Sequence, residues 1–535
     1  MGQKTFFVRE ASGLVREFGT IDLLLMASAC VFALVYSTLQ FAWFYGFNQG
    51  ANLPLALVIS AIPFLILMIV YWGIGIMMPR SGSDYVWIGR IMHPSIGFAW
   101  SFLYMFAYFS IGFVGPGAAL GYAISIAISI WGTLYNVSSA VDLGTWFSTA
   151  MGSFVISILL TVVYATLALF GAKAVKRFIY TSWGFALVGI ALMWGLLATT
   201  TPAMFAAKWD SLFSQYTTYQ GMLNVATQNG WVAPAFSIAA TVVSLPLAAD
   251  FLLGGNYANV VAGEVKDVKR NIPLALVLSL IFGVIFWTVT STLTMNAVGE
   301  KWMFAVGYLF DNNAAAYSAA MPYPPTQLLI LSLIAFPNQV LVFLMLVTYI
   351  VGSLAALFMW FWISTRYFFA WAFDRIIPTK MADVSKRYRT PHNAIGVATA
   401  MAIILFGLYY FTSWAAMFTL GVFIVVVAYV VPGLATVILP LTLKKDLLEL
   451  APGFMRKRVA GIPFISILGL IVVVAYGYLG YLSIINPLIS VPTAAGIAVA
   501  VGIVIACFLV YYTSVWYHKQ KGLDIELAFK EIPPV

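Results

Sequence analysis

Charge is what this chain has least of. Only 8% of its 535 residues are Asp, Glu, Lys or Arg, 62% are hydrophobic, and the mean hydropathy is +0.97. A soluble domain carries roughly 25% charged residues. So few charges cannot coat a protein of this size, and its apolar surface must be solvated by lipid. Cysteine is almost as scarce. Cys30 and Cys507 both lie inside apolar runs, which excludes a disulfide framework or a paired-cysteine zinc site. The three histidines, His93, His392 and His518, stand far apart, so no metal site is expected. The chain has no GxxxxGK[ST], HExxH or GxSxG motif, so neither an ATP-driven pump nor a membrane protease or hydrolase is indicated. No short repeated pore segment marks a tetrameric channel. Neither an enzyme nor a cofactor is implied. The basic first 19 residues lack the apolar core and small-residue cleavage site of a removed signal, so the first span is expected to act as its own targeting signal.

What is present is apolar length. About 20 apolar residues cross the hydrocarbon core as a helix. Hydropathy predicts about twelve spans, near 22–47, 52–78, 95–131, 150–171, 178–199, 232–262, 272–297, 338–365, 393–413, 414–443, 461–485 and 491–515. With the N-terminus placed in the cytoplasm, only Lys208 and Lys301 of the 27 Lys and Arg residues fall outside cytoplasmic segments. This is the positive-inside pattern, and it predicts cytoplasmic N- and C-termini. It also explains the net charge of +9 by topology and anionic lipid, so no nucleic-acid partner is expected. The longest external connections are 201–231 and 298–337. The apolar stretch LLILSLIAF at 328–336 is too short to span, and is expected to be an amphipathic surface helix or a re-entrant lid. No linker separates soluble modules, so residues 1–535 read as a single membrane domain.

Some spans carry helix breakers and polar groups, which a plain anchor does not need and a transporter does. The sixth reads SLPLAADFLLGGNYANVVAGE from Ser244 to Glu264. Pro246 removes a helical donor, and Gly254-Gly255 weakens the helix. Asp250 falls near the middle of the run, where a carboxylate is costly unless paired, hydrated or protonated. It is therefore a candidate for function, against the alternative of a structural Asp bonded to a neighbouring helix. Residues 250–257, including Asn256 and Tyr257, form the candidate binding region. The first span offers Ser28, Ser37 and Thr38, and Ser353 in the eighth span is a candidate cation ligand or interhelical contact.

Three stretches resemble the amino acid–polyamine–organocation (APC) superfamily of permeases. Pro79, Arg80, Ser81, Gly82 and Tyr85 match its signature after the second span, with Asp84 adding a charge where the family commonly has a neutral residue. Glu264 with Ile272-Pro273 matches the segment after the sixth span. Arg366, Ala370, Asp374, Pro378, Thr390, Pro391 and Ala394 match the run after the eighth. The resemblance covers roughly residues 15–445.

It implies an all-α membrane protein with a LeuT-like fold, in which five spans (about 20–200) are repeated in inverted topology by five more (231–443), with two extra helices at 461–515. The implied function is secondary transport of an amino acid or related amine across the cell membrane, at a site between broken first and sixth spans. The family's glycine in the sixth-span break falls at Gly254, and its Gly-x-Gly in the first span falls at Ala33-Leu34-Val35, where this chain has no glycine. Asp250, not typical of the family at this place, is then a candidate to meet a cationic amine or side chain. Coupling stays open between a proton through Asp250, sodium through Ser353, and exchange without an ion. Asp374 at the end of the eighth span and Arg9 or Arg16 before the first are expected to form a cytoplasmic gate. The alternatives are a transporter of another solute, such as a polyamine or nucleobase, and a nutrient receptor that keeps the permease fold without transport.

Overall fold

The computed structural model describes residues 13–31, 37–412, 423–442, 445–485 and 494–531. Ten described helices are long and apolar enough to cross a membrane. They are Leu53–Met77, Gly117–Tyr135, Ala150–Leu169, Ala172–Ala198, Val268–Val298, Gln339–Phe373, His392–Phe411, Phe423–Leu441, Phe464–Ile485 and Gly496–Gln520. This is an all-α membrane architecture. Among the described residues, the strands are one two-residue hairpin, Arg458–Val459 with Ile462–Pro463. The two expected spans missing from the ten are the first and the sixth. The first appears as α1 (Thr20–Val31) and α2 (Ser37–Phe47) on either side of 32–36, which lie outside the described residues.

The remaining labels follow chain order. The second span is α3 (Leu53–Met77); Asn52 caps it by accepting from the Leu55 amide. A short helix α4 (Ser83–Ile91) connects it to the third run, expected over 95–131. It is built from α5 (Pro94–Tyr108), a π-helical turn at Phe109–Val114 and α6 (Gly115–Tyr135). Such wide turns insert one extra residue per turn and are common at functional sites. Then come α7 (Ser138–Ser148), α8 (Ala150–Leu169) and α9 (Ala172–Ala198). The connections carrying most of the cations lie at one end of the bundle, called here the basic end.

The other end is capped by α10 (Pro202–Phe213), α11 (Tyr219–Gln228), α15 (Glu300–Asn312), α16 (Ala314–Ala320) and α17 (Gln327–Ala335). The LLILSLIAF stretch is α17, and every one of its residues is buried. It is not an amphipathic surface helix. Apart from Gln327 and Ser332 it has no polar side chain to turn outward, so it is enclosed by α18 (Gln339–Phe373), α9, α6 and α10. Gln327 Nε2 donates to Thr294 Oγ1 at 3.1 Å.

The sixth run divides into α12 (Ile238–Val243) and α13 (Leu245–Asp250), hinged at Ser244. Pro246 stands at the second position of α13, where its missing N–H costs nothing but the bond back into α12 is lost. Beyond α13 only 3₁₀ turns at Gly255–Ala258 and Ala262–Glu264 remain, before α14 (Val268–Val298) begins. The broken run is enclosed. α1 packs on α14 and α18 and on the Gly255–Ala258 turn, while α3 packs on α13 and α14. α9 packs on α18, and α8 on α19 (His392–Phe411). Outward-facing side chains such as Leu159, Ile404 and Leu509 are more than 60% exposed, the surface that lipid would cover.

Candidate functional site

The site is the stretch Asp250–Glu264, where helical bonding stops. Turns at Phe251–Gly254 separate α13 from the 3₁₀ turn. Gly254 has φ +115°, and a Cβ there would lie 2.3 Å from Cys30 Cβ on α1. Both the left-handed backbone and the close approach require glycine. Gly255 is nearly as confined, with Ser279 Oγ 2.9 Å from where its Cβ would be. Gly254 is thus the contact that brings the broken run against the first span.

Asn256 follows directly and is fully buried. Its Nδ2 donates to Tyr104 Oη at 2.8 Å, and its Oδ1 accepts from Tyr429 Oη at 3.2 Å. Tyr429 also meets the hydroxyls of Tyr104 (3.3 Å) and Tyr108. Tyr257 turns its ring edge-on to Tyr108 (4.7 Å between centroids) and to Trp360 of α18 (4.9 Å). Tyr108 and Trp360 are 4.9 Å apart, closing a triangle of rings one residue before the π turn. The hydroxyl of Tyr257 and the indole N–H of Trp360 are both buried, and neither has a hydrogen-bond partner among the described residues. Buried donors left without a partner are what a ligand acceptor would satisfy.

The other expected residues distribute unevenly. Asp250 ends α13 and is 8% exposed. Ser28 is buried on α1. Ala33 lies outside the described residues, and Ser37 and Thr38 open α2. Ser353 is fully buried and donates to the carbonyl of Tyr349 one turn back on its own helix. Sequence reasoning missed Tyr104, Tyr108, Trp360 and Tyr429. Four aromatics among 28 tyrosines and 17 tryptophans carry no local signal.

At the basic end the residues of the three sequence stretches meet. Arg366 binds both oxygens of Glu264, at 3.0 and 3.1 Å, and lies over the Trp362 ring. Arg90 binds both oxygens of Asp374, each at 3.1 Å, and Tyr85 Oη donates to the same carboxylate at 2.7 Å. Asp374 is therefore held by Arg90, where Arg9 or Arg16 was expected. Arg16 is exposed, and Arg9 lies outside the described residues. The backbone of Glu17 and Phe18 bonds to the Glu264 carbonyl, and Lys266 bonds back to Phe18, so the entry to the first span is laced to the exit of the sixth. Lys176 on α9 adds an ion pair to Asp22 at 2.8 Å.

The amino acid permease family matches residues 18–513, from this laced entry to the last helix. The chain belongs to that family. No curated protein matches it. The permease is therefore a multi-pass membrane protein of a transporter family within the APC superfamily, not of an enzyme family. The two arginine–carboxylate pairs, Arg366–Glu264 and Arg90–Asp374, join residues that the sequence resemblance had singled out separately, with Arg90 the one partner it had not.

Proposed function

We propose that this permease carries an amino acid or a related amine across the cell membrane by alternating access, with its basic end in the cytoplasm. The observation that carries the reading is the unwound stretch Phe251–Gly254 in the middle of an apolar run, pressed against α1. Unwound backbone in a membrane is tolerated where it faces protein or a solute, and there it supplies carbonyls and amides to a ligand. Asn256, Tyr257 and Trp360 then contribute polar atoms to the substrate's carboxylate, and Asp250 and Ser28 line the approach. The 5+5 inverted repeat is supported by the packing of would-be counterparts on each other: α1 on the sixth run, α3 on α14, α6 on α18 and α8 on α19.

Asp250 together with the triangle of Tyr108, Tyr257 and Trp360 favours a solute that bears a cationic amine, since both a carboxylate and aromatic faces attract one. Transport is ion-coupled in this reading.

The test is uptake of labelled amino acids and polyamines into proteoliposomes. A proton gradient, a sodium gradient or neither is imposed, and wild type is compared with Asp250→Asn. Uptake that the Asn variant loses supports both the transporter and the role of Asp250. Uptake unchanged by the substitution makes Asp250 structural. No uptake of any solute by folded protein overturns the transporter reading.

A further inference from the structure

We propose that Asp84 is the residue at which the permease binds a co-transported proton, and that its charge state sets how firmly the sixth run is clamped at the basic end. The inference rests on the transporter reading above. Asp84 lies on α4, outside the spans, and is fully buried. Three donors reach its carboxylate: Tyr367 Oη to Oδ1 at 2.7 Å, Tyr71 Oη to Oδ2 at 3.1 Å, and the Tyr85 amide to Oδ1 at 3.1 Å. Among the described residues no cation pairs with it. Arg90, on the same helix, is committed to Asp374, and Arg366 on α18 is committed to Glu264. Arg80, before the helix, donates to the Pro79 carbonyl. The other titratable groups on the packed elements are Tyr104 and Tyr108 on α5, Tyr349 on α18, Tyr429, and Glu526, Lys530 and Glu531 in the C-terminal turn, none of which bonds the Asp84 carboxylate.

Two features make this a proton site and not merely a structural carboxylate. Hydroxyls can donate to a carboxylate and accept from a carboxylic acid, so Tyr71 and Tyr367 serve both states of Asp84 by turning one O–H bond. Arginine cannot do this, which separates Asp84 from Glu264 and Asp374. The groups around it are also donors, not the ring of oxygen ligands that a metal cation would need. Burial pushes the Asp84 carboxyl up to about 7, against the lowering effect of its tyrosine and amide bonds. The proton therefore binds as pH falls through the physiological range.

The carboxylate sits where it can act on the site. The residue two before it, Gly82, donates its amide to the Val260 carbonyl at 3.1 Å, and a Cβ on Gly82 would lie 2.5 Å from Ala370 Cβ on α18. Asn259 donates to the Tyr71 carbonyl at 3.2 Å. Residues 82–85 thus join α3, α18 and the broken sixth run at one point. With Asp84 charged, both tyrosine bonds are charge-assisted and hold α3 and α18 to α4. Proton uptake from water converts the carboxylate to the acid and weakens those bonds by about half. The clamp on residues 259–260 loosens, and release of the proton to water restores it.

The experiment is an infrared titration of the carboxyl band of the full-length permease in lipid, with Asp84→Asn, Asp84→Glu and Tyr367→Phe, each first checked for a cooperative thermal melt. A protonated-carboxyl band titrating near neutral pH in wild type, missing in Asp84→Asn and present in Asp84→Glu, supports the proposal. Tyr367→Phe, which removes the shorter donor bond to the charged form, should move the midpoint upward by about one pH unit. A band that persists in Asp84→Asn, or a midpoint that Tyr367→Phe leaves in place, overturns it. In proteoliposomes, accumulation of solute along a pH gradient should fall at least about tenfold in Asp84→Asn and return in Asp84→Glu. Equal accumulation by wild type and Asp84→Asn overturns the coupling role while the transporter reading stands. If wild type carries no amino acid or amine, the transporter reading and co-transport fail together, and the infrared titration still decides whether Asp84 binds the proton.

Discussion

The two ends of the permease are closed by different chemistry. At the basic end, Glu264 and Asp374 are buried carboxylates, each gripped by an arginine that approaches both oxygens. At the opposite end, among the described residues no ion pair forms. Closure there relies on stacked rings and amides: Tyr219 lies flat on Trp302, Trp231 donates to Gln49, and Asn313 donates to Asn229. A half-buried carboxylate at that end, Asp311, packs against Gly46, so tightly that a Cβ there would fall 1.8 Å from its Oδ2. That oxygen has no hydrogen-bond partner among the described residues. A buried ion pair is a discrete latch, costly to break and specific about its partner. Apolar and aromatic packing is additive and can yield gradually. The basic end carries the first kind and the opposite end the second.

The contrast is tested most severely at Glu264. Arg366→Met should strand its carboxylate in the protein interior and cost about 3–5 kcal/mol, read as an early thermal melt in detergent. A variant that melts with wild type would erase the difference between the ends. Next comes the hinge between them. Gly254→Ala must take a left-handed backbone and displace Cys30, at about 1–3 kcal/mol, and transport should fall more than stability does. Counterflow beside a melting curve separates the two effects. Asn256→Ala leaves the hydroxyls of Tyr104 and Tyr429 short of a partner, with an expected loss of about 1–3 kcal/mol. The same two assays apply, and loss of transport should exceed that of a Trp209 variant at the end opposite the basic one.

The end opposite the basic one has its own pH signature. Burial raises the Asp311 carboxyl to about 7, above its unfolded value, so folding favours the protonated form. Its contribution to stability is fully present below the unfolded value and is lost as pH rises through 7. Asp311→Asn should flatten that part of the stability–pH curve. A wild-type melt that does not fall between pH 5 and 8, with Asp311→Asn superimposed on it, would remove this group from the account. The smallest effect is expected at Ser353, whose hydroxyl bonds its own helix. Ser353→Ala should change stability by no more than about 0.5 kcal/mol. A large loss of sodium-driven uptake in that variant would instead make the hydroxyl an ion ligand.

The legible part of the candidate site was the part written along the chain. Pro246 and Gly254-Gly255 announced the break in the sixth run because their backbone effects are local, and Gly254 does carry the left-handed turn. The π turn after Tyr108 was not foreseen, since no proline or glycine pattern distinguishes it from a kinked helix. For the LLILSLIAF stretch the surface-helix alternative fails, because its length excludes a span but says nothing of what encloses it. Glu264, Arg366 and Asp374 stood out as residues of one family pattern, yet the pattern did not say who binds whom.

Hydropathy was enough to determine a membrane protein and its approximate spans, because lipid acts on each segment separately. Only the tertiary structure decided which charges neutralise each other. Arg366 reaches across 102 residues to Glu264 and Arg90 across 284 to Asp374, leaving Asp84 to two tyrosines. Inside a protein a charge is stabilised by whatever lies within a few ångströms, and that neighbourhood is set by how the helices pack, not by their order in the chain.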